Sequence, residues 1–260
     1  MARQGPNSTE LTVVRTERLS DHLMRVYFGG PGFDRFEPSV FTDSYVKIEL
    51  DSAGETVLRT YTIRSVDPTQ REIAVDFVVH GDQGVAGPWA MSARPGDTVV
   101  VRGPGGAYRP DPDADWHLLA GDETAIPAIA AALESLPSDA IGRVFIEVAG
   151  ADDEIVLTAP GGVEITWLYR GTDAGSAGAD RVGANAPLVA AVTGTQWLQG
   201  TAHVFVHGEA ETVMHHLRPY IRKERGVPAA RASISGYWKR GRTEETFREW
   251  KRELAVSDAG

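Results

Sequence analysis

The sequence predicts a β-barrel followed by an α/β domain with a parallel sheet, and two patterns support this fold class. Up to about residue 110 the chain consists of short β-rich runs separated by Gly, Pro, Asp and Ser, whereas strand and helix patterns alternate from residue 116 onward. A Pro- and Asp-rich stretch, residues 104–115, separates the two patterns. We therefore predict a barrel domain over residues 1–110 and an α/β domain, ending in a helix, over residues 111–260.

Six runs in the N-terminal part have the composition of strands, and their spacing favours an antiparallel barrel or sandwich. The segment GVAGPWAMSARPG, which lies between the fifth and sixth runs, is rich in small residues and predicts one or two helical turns that plug a barrel end. The six runs are LTVVRTERL, HLMRVYF, YVKIEL, VLRTYTIRSV, EIAVDFVVH and DTVVVRG.

Five apolar runs in the C-terminal part alternate with helical patterns, which is typical of a parallel sheet with helices on both faces. The runs are WHLLAG, RVFIEVAG, EITWLYR, AHVFVHG and RASISGYW. The final pattern, TEETFREWKREL, predicts an amphipathic helix. Residues 172–186 are rich in Gly and Ala and predict a mobile surface loop, because few of their side chains can bury apolar area.

Composition and charge exclude several classes of protein. With 260 residues and 42% hydrophobic side chains, the chain can bury a sizeable core, and the lack of Cys excludes disulfides and thiolate metal sites. The net charge of -10 opposes binding to nucleic acid and anionic lipid. Because no apolar run is long enough for a membrane helix and the N-terminus is polar, we expect a cytoplasmic monomer without stable membrane association.

The run RTYTIR, residues 59–64, carries the first functional signal. Strand alternation places Arg59 and Tyr61 on one face, where a guanidinium can hold phosphate beside an aromatic surface for stacking. Residues 87–90, GPWA, open the predicted short helix, and free N–H groups at a helix start favour phosphate. The two segments together predict a site for a diphosphate.

Taken in order, several segments resemble the siderophore-interacting protein family, which comprises flavin-dependent ferric-siderophore reductases of the ferredoxin–NADP reductase superfamily. The resemblance rests on RTYTIR, DFVVHG, GPWA, GDTVVVRGPGG, LAGDETAIPAI and GYWKRG, and it extends from roughly residue 10 to residue 255. It implies a barrel that binds FAD and a C-terminal domain that binds NADH or NADPH as electron donor.

The resemblance also implies roles for individual residues. Arg59 faces the flavin phosphates, Tyr61 and Thr62 contact the isoalloxazine, and His80 lines the adenine and ribose side. Thr124 reaches both flavin and nicotinamide. The implied cofactor-binding residues are Arg59, Thr60, Tyr61, Thr62, Asp76, Val78, His80, Gly87, Pro88, Trp89, Ala90, Asp122, Thr124, Ala125 and Trp238. We expect no catalytic acid or base and no protein-bound metal, because the cofactor carries the chemistry.

Because the protein carries a net negative charge, an anionic ferric siderophore would need a local patch of positive charge in order to bind. Lys47 matches a lysine that the family places near the flavin edge, and Lys239 and Arg240 follow Trp238 at the end of the last predicted strand. We predict that these three cations ring a solvent-facing pocket that binds the siderophore. The alternative is that Lys239 and Arg240 only form a turn before the final helix.

The sequence departs from the family pattern in two places. Gly105 stands where family members commonly carry arginine in a GPRG turn, so an anion contact is missing there. The GxGxxG fingerprint is absent, so the preference between NADH and NADPH cannot be read from the sequence. Two other patterns have simpler explanations: Asp122–Glu123 suits a helix start, and the adjacent His215 and His216 point too far apart on a helix to hold one ion.

These observations predict an FAD-dependent ferric-siderophore reductase that takes electrons from NAD(P)H and releases Fe(II) for iron acquisition. One alternative is a flavoprotein, linked to NAD(P)H or ferredoxin, that exchanges electrons with a protein partner. A second alternative is a siderophore-binding module that has lost its flavin. The sequence does not identify the siderophore.

Overall fold

The structure is a computed structural model that describes residues 8–80 and 84–257, the last four of these by backbone alone. Residues 1–7, part of the N-terminus used to exclude a signal peptide, lie outside the described residues, as do residues 81–83. The predicted fold class is confirmed: a closed antiparallel six-stranded barrel precedes a five-stranded parallel sheet with helices.

The barrel strands follow the six β-rich runs closely. They are β1 (Ser8–Arg18), β2 (Leu23–Gly29), β3 (Tyr45–Ser52), β4 (Glu55–Asp67), β5 (Glu72–Val78) and β6 (Thr98–Gly105). Neighbours in the barrel run β1-β2-β5-β4-β3-β6, and β6 closes on β1. Alternate residues point inward and form an apolar interior, in which Val26, Phe28, Ile48 and Phe77 are fully buried.

A short helix, α1 (Ala86–Ser92), lies at the predicted plug between β5 and β6. Ala86 and Ala90 are buried against the barrel core, and the indole of Trp89 stacks on Phe28 with a centroid distance of 6.0 Å. The small residues let the helix approach closely, so α1 packs into the barrel core.

The α/β domain contains β7 (Trp116–Asp122), β8 (Ile141–Val148), β9 (Gly162–Tyr169), β10 (Ala202–Glu209) and β11 (Ala232–Trp238). Its helices are α2 (Ile126–Ser135), α3 (Pro187–Gly194) and α4 (Glu244–Ser257), with π-helical segments at Glu211–Leu217 and Tyr220–Glu224. Among the described residues, no helix combines the length and apolar character needed to span a bilayer.

The order of the parallel sheet, β11-β10-β7-β8-β9, creates a switch point between β7 and β10. After β7 the chain adds strands on one side, and it then returns to add β10 and β11 on the other. Open α/β sheets bind ligands at such a point, outside the carboxyl ends of the strands. Asp122 and Glu209, the last residues of β7 and β10, therefore lie where the fold favours ligand binding.

Residues 106–115 connect the barrel to the sheet, and the domain boundary that we predict at residue 110 falls within them. The carboxylate of Asp43 accepts the backbone N–H groups of Ala107 and Tyr108, both at 2.8 Å. A salt bridge between Arg64 and Glu134 joins β4 to α2. These contacts hold the barrel against the α/β domain.

The segment that we predict to be a mobile loop contains two short 3-10 turns, Ala179–Arg181 and Gly183–Asn185. Two of its residues are buried, Ala174 and Ala186, so part of the segment packs on the domain. It covers the carboxyl end of the sheet, which the sequence does not indicate. Its mobility stays a prediction.

Candidate functional site

The predicted RTYTIR strand lies at an opening in the barrel wall. Strand β4 pairs with β3 from Glu55 to Thr62, but it pairs with β5 only from Ile63 onward. Among the described residues, the stretch 55–62 therefore has one edge without a strand partner. We call residues 59–62 with this free edge the β4 edge. Backbone groups along this edge are not used in pairing with β5, because β4 and β5 pair only from Ile63 onward.

Tyr61 forms the apolar floor beside the β4 edge. Its ring packs on Phe77 with a centroid distance of 4.4 Å, and Phe77 in turn contacts Trp89 at 5.6 Å. Burial raises the pKa of the Tyr61 phenol, so the ring is neutral. The predicted flavin-facing tyrosine therefore has a fixed aromatic setting.

The predicted α1 residues are only partly accessible. Gly87 and Ala90 are buried, while Pro88 and Trp89 are half-buried. A Cβ atom added to Gly87 would lie 3.3 Å from the carbonyl oxygen of Val78, so this glycine lets α1 approach the end of β5. The structure thus brings Val78 and α1 together.

Asp76 is paired within the barrel. Its Oδ1 accepts from Nε of Arg25 at 2.6 Å, and its Oδ2 accepts from Nη2 at 2.8 Å. This bidentate ion pair joins β2 to β5 and accounts for the burial of the carboxylate. A contact with cofactor, which the family resemblance implies for Asp76, would compete with it.

His80 is the last residue described before residues 81–83, and one of its ring nitrogens has no hydrogen-bond partner among the described residues. Its Nδ1 is buried and has no hydrogen-bond partner within the described structure. Burial lowers the pKa of His80, which favours the neutral ring. A neutral imidazole with a free nitrogen is suited to a hydrogen bond with a bound ligand.

Arg59 and Thr60 contact a helix that the sequence does not connect with them. Nη1 of Arg59 lies 2.7 Å from Oε1 of Glu245, and the Thr60 hydroxyl donates to Oε1 of Glu244 at 2.7 Å. Both carboxylates belong to the first turn of α4. The acidic start of the final helix is their only signal in the sequence, and it looks like an ordinary helix start.

The second half of the site is centred on Asp122 at the end of β7. Its Oδ1 accepts the N–H and the hydroxyl of Thr124 at 3.0 and 2.5 Å. Its Oδ2 accepts the backbone N–H of Glu209 and the indole N–H of Trp238, both at 2.8 Å. Burial raises the pKa of Asp122. The structure therefore brings three of the predicted residues into one network, with the predicted Ala125 buried beside them.

Sequence reasoning missed a buried arginine beside this network. Arg170 follows β9, and its guanidinium contacts Glu123 Oε1 at 2.6 Å and Glu147 Oε1 at 3.1 Å. The other oxygen of Glu147 accepts the backbone N–H of Leu188 at the start of α3, at 2.8 Å. The signal available in the sequence was the arginine directly after the strand pattern EITWLY.

A crevice of about 260 Å³ opens at this carboxyl edge. Three carboxylates and three arginines line it, so its wall carries both signs of charge. The charged lining residues are Asp122, Glu147, Glu209, Arg170, Arg181 and Arg240. Trp238 adds an aromatic surface, and the segment 172–186, which we call the covering loop, completes the wall through Ala174, Arg181, Val182 and Ala186.

The three cations predicted to ring a siderophore pocket have different surroundings. Nζ of Lys239 lies 3.1 Å from Glu211 Oε2 and above the ring of Trp250, whereas Nη1 of Arg240 donates to the Gly175 carbonyl at 2.8 Å. Lys47 lies on barrel strand β3, where its register neighbours are Thr60 on β4 and Arg102 on β6. The common pocket of these three cations stays a prediction.

Gly105, where we noted a missing arginine, is covered by an aromatic ring. A Cβ atom added at this glycine would lie 2.5 Å from Cζ of Tyr45. The strand pairing places Tyr45 between Gly105 and Thr62. Tyr45 therefore fills the space that a side chain at position 105 would need.

A barrel with an open strand edge, joined to a parallel sheet with a polar crevice at its switch point, defines a two-domain protein of the ferredoxin–NADP reductase-like class. The chain belongs to the siderophore-interacting protein family: the family described as Siderophore-interacting protein matches residues 114–241. The Siderophore-interacting FAD-binding domain matches residues 12–58 and 48–108. These matches confirm the resemblance and assign an FAD-binding domain to the barrel half of the chain.

Individual relatives are similar to this chain over nearly its whole length. An uncharacterized protein of Mycobacterium tuberculosis is 59% identical, with 95% of this chain and 96% of that protein covered. The ferric vibriobactin reductase of Vibrio cholerae is 33% identical over 92% of each chain. The crystal structure of the siderophore-interacting protein SipS from Aeromonas hydrophila superposes with a TM-score of 0.83 at 28% identity, covering 96% of this chain and 98% of that one.

Proposed function

We propose that this protein is an FAD-dependent ferric-siderophore reductase that uses NADH or NADPH and releases Fe(II) for iron acquisition. The observation that carries the proposal is the β4 edge, where a guanidinium, a stretch of backbone without a strand partner on one side, and a fixed aromatic ring lie together in an FAD-binding domain. The name of the Vibrio cholerae relative, a ferric vibriobactin reductase, supports the choice of substrate.

The residues of the barrel fit FAD. Arg59 offers a charge-assisted contact for phosphate, and the backbone N–H of Thr60 points to the open side of β4. Tyr61 offers a flat ring backed by Phe77, and the buried Nδ1 of His80 lacks a partner among the described residues. We propose that these four residues hold the cofactor.

When bound, FAD would supply the step from two-electron to one-electron chemistry, so that one NAD(P)H reduces two Fe(III) ions to Fe(II) and yields NAD(P)⁺ and one proton. The chain positions the reactants. Asp122 fixes the Thr124 hydroxyl and the Trp238 indole at the rim of the crevice. Phe77 and Tyr61 keep water from one side of the β4 edge. No side chain needs to act as a general acid in this scheme.

We propose that the nicotinamide donor binds at the switch-point crevice, where α/β sheets bind such ligands. Four residues of the segment 172–186 line this crevice, namely Ala174, Arg181, Val182 and Ala186, so the segment narrows access to it. Arg240 also ties the covering loop through the carbonyl of Gly175. Residues 171–186 would therefore have to move when the donor binds.

Because the crevice is covered by a loop, one alternative electron donor is a protein that binds outside it. A ferredoxin would deliver electrons from the protein surface and would need no space under residues 171–186. A ferredoxin-linked reductase is therefore the second candidate, with the same flavin site and the same iron substrate.

An anaerobic titration tests these proposals. The purified protein is reconstituted with FAD, reduced with NADH or NADPH while the flavin absorbance is followed, and then mixed with a ferric siderophore and a chromogenic Fe(II) chelator. We expect bleaching by a nicotinamide, recovery on addition of the siderophore, and formation of Fe(II). Bleaching only by reduced ferredoxin would favour the second candidate. Failure to bind FAD would contradict both and favour a siderophore-binding module without flavin.

A further inference from the structure

The start of α4 occupies the donors of the β4 edge. Glu245 Oε1 lies 2.7 Å from Nη1 of Arg59. Glu244 takes both donors of Thr60: its Oε2 lies 3.1 Å from the backbone N, and its Oε1 lies 2.7 Å from the hydroxyl. Two adjacent carboxylates, far from the barrel in sequence, thus satisfy a guanidinium, an N–H and a hydroxyl group.

These donors are the groups that bind phosphate. Guanidinium forms charge-assisted hydrogen bonds with carboxylate and phosphate alike, and backbone N–H and hydroxyl groups donate to either anion. From these contacts we propose that Glu244 and Glu245 are internal competitors for the anion-binding donors of the β4 edge, and that they leave Arg59 and Thr60 when FAD binds. This inference rests on the proposed function, because it takes the flavin phosphates as the competing anion.

The rest of α4 is anchored elsewhere, so the two carboxylates can move without the helix leaving the protein. Phe247 is buried, and its ring lies so close to Gly236 that an added Cβ would be 3.2 Å away. Trp250 packs beside His215 and beneath Lys239. Nζ of Lys251 lies 3.3 Å from the Ser235 hydroxyl. The anchors contact β11 and its surroundings, not the barrel.

Each carboxylate has another partner, water or a cation, when it leaves the β4 edge, and the side chain of Glu244 is the less exposed of the two, at 18%. The side chain of Glu245 is 51% exposed, so water solvates it once it leaves Arg59. Glu244 already has a second partner on its own helix, since Nη2 of Arg248 lies 2.5 Å from its Oε1. If both carboxylates stayed in place, they would repel a bound phosphate at close range. The negative charges therefore favour a model in which the flavin phosphates displace the two carboxylates over one in which both bind at the β4 edge together.

The test compares FAD binding to apo-protein in four forms: wild type, E245Q, the double variant E244Q/E245Q, and E249Q. Glutamine keeps the size of the side chain and removes the charge. Glu249 is exposed on the same helix, so E249Q controls for the general effect of one charge. The dissociation constant is measured by quenching of flavin fluorescence at low and at high salt.

We expect FAD binding to strengthen about five- to tenfold in the double variant, with a smaller gain in E245Q and less than about twofold in E249Q. The gain should shrink at high salt.

One result would overturn the inference and leave the proposed function intact. It is an unchanged or weaker affinity for FAD in the double variant, with FAD still bound by the wild type. If neither wild type nor any variant binds FAD, the proposed function fails, and the inference fails with it.

Discussion

The carboxylate of Asp122 accepts the indole N–H of Trp238 at 2.8 Å, although the two residues lie 116 positions apart. The same oxygen accepts the backbone N–H of Glu209. One buried side chain therefore ties the carboxyl ends of β7, β10 and β11 together at the switch point. This hydrogen bond helps to hold the Trp238 ring at the crevice.

Asp122→Asn should destabilise the protein by about 1–3 kcal/mol, because the amide NH₂ cannot accept hydrogen bonds and leaves buried donors unpaired. Urea denaturation measures the loss. Asp152→Asn is the control, since Asp152 is exposed beyond the end of β8. Equal stability of the Asp122 and Asp152 variants would show that the network contributes nothing.

Arg59→Ala should weaken FAD binding about ten- to a hundredfold, which corresponds to a charge-assisted contact of about 1.5–3 kcal/mol. Flavin content after purification and titration of apo-protein both report the change. Arg102→Ala serves as the control, because Arg102 pairs with Glu49 elsewhere on the barrel. Stoichiometric flavin with unaltered affinity in the Arg59 variant would refute the proposed role of the β4 edge.

Arg170→Met should cost about 3–5 kcal/mol of stability, because it leaves the buried carboxylates of Glu123 and Glu147 without their shared cation. The triple variant Arg170→Met, Glu123→Gln, Glu147→Gln should recover part of this loss, since it removes the uncompensated charges. Thermal or urea unfolding gives both values. No recovery would mean that packing of Arg170, and not its charge, is what matters.

Stability should fall with acidification because of buried histidines. Burial lowers the pKa of His207 to about 3 and that of His117 to about 4, while both titrate near 6.5 in an unfolded chain. The unfolded state therefore binds more protons below about pH 6.5, and each such histidine costs about 1.4 kcal/mol per pH unit as the pH falls toward the folded pKa.

Urea midpoints measured from about pH 7.5 down to about pH 5 test this dependence. The variant His207→Phe should show a shallower slope than wild type, because it removes one of these two buried imidazoles. A wild-type slope that is identical in the His207 variant would contradict the assignment.

Lys47→Glu should raise the KM for an anionic ferric siderophore about fivefold, because Lys47 is half-buried at the barrel surface and a solvent-accessible charge contributes about 1 kcal/mol to such an encounter. Reduction of the flavin by NAD(P)H, measured separately, does not involve the siderophore. A neutral iron chelate provides the second control. If KM rises equally for the neutral chelate, Lys47 supports the fold or the flavin and does not attract the substrate.

The local features of the fold could be predicted because their signals are local. Strands β1 to β6 follow runs of alternating β-rich residues, and β7 to β11 follow short apolar runs between helix patterns. The position of Arg59 and Tyr61 on β4, of Asp122 at the end of β7 and of Thr124 just after it follows from the same patterns.

The partners of these residues could not be predicted in this way. Whether Asp76 faces a cofactor or Arg25 depends on the pairing of β2 with β5, and Glu147 meets Arg170 only because β8 and β9 are neighbours. Periodicity reports which face a side chain occupies. It carries no information about which distant segment lies opposite.

By itself, the sequence determined the two-domain architecture, the order of its strands along the chain, and the segments that carry the family resemblance. The tertiary structure alone decided that β4 has a free edge, that Glu244 and Glu245 fill it, and that residues 171–186 cover the crevice. The physical reason is that secondary structure follows from short-range patterns of side chains. Ion pairs and covered surfaces follow from sheet order and register, which bring together residues more than a hundred positions apart.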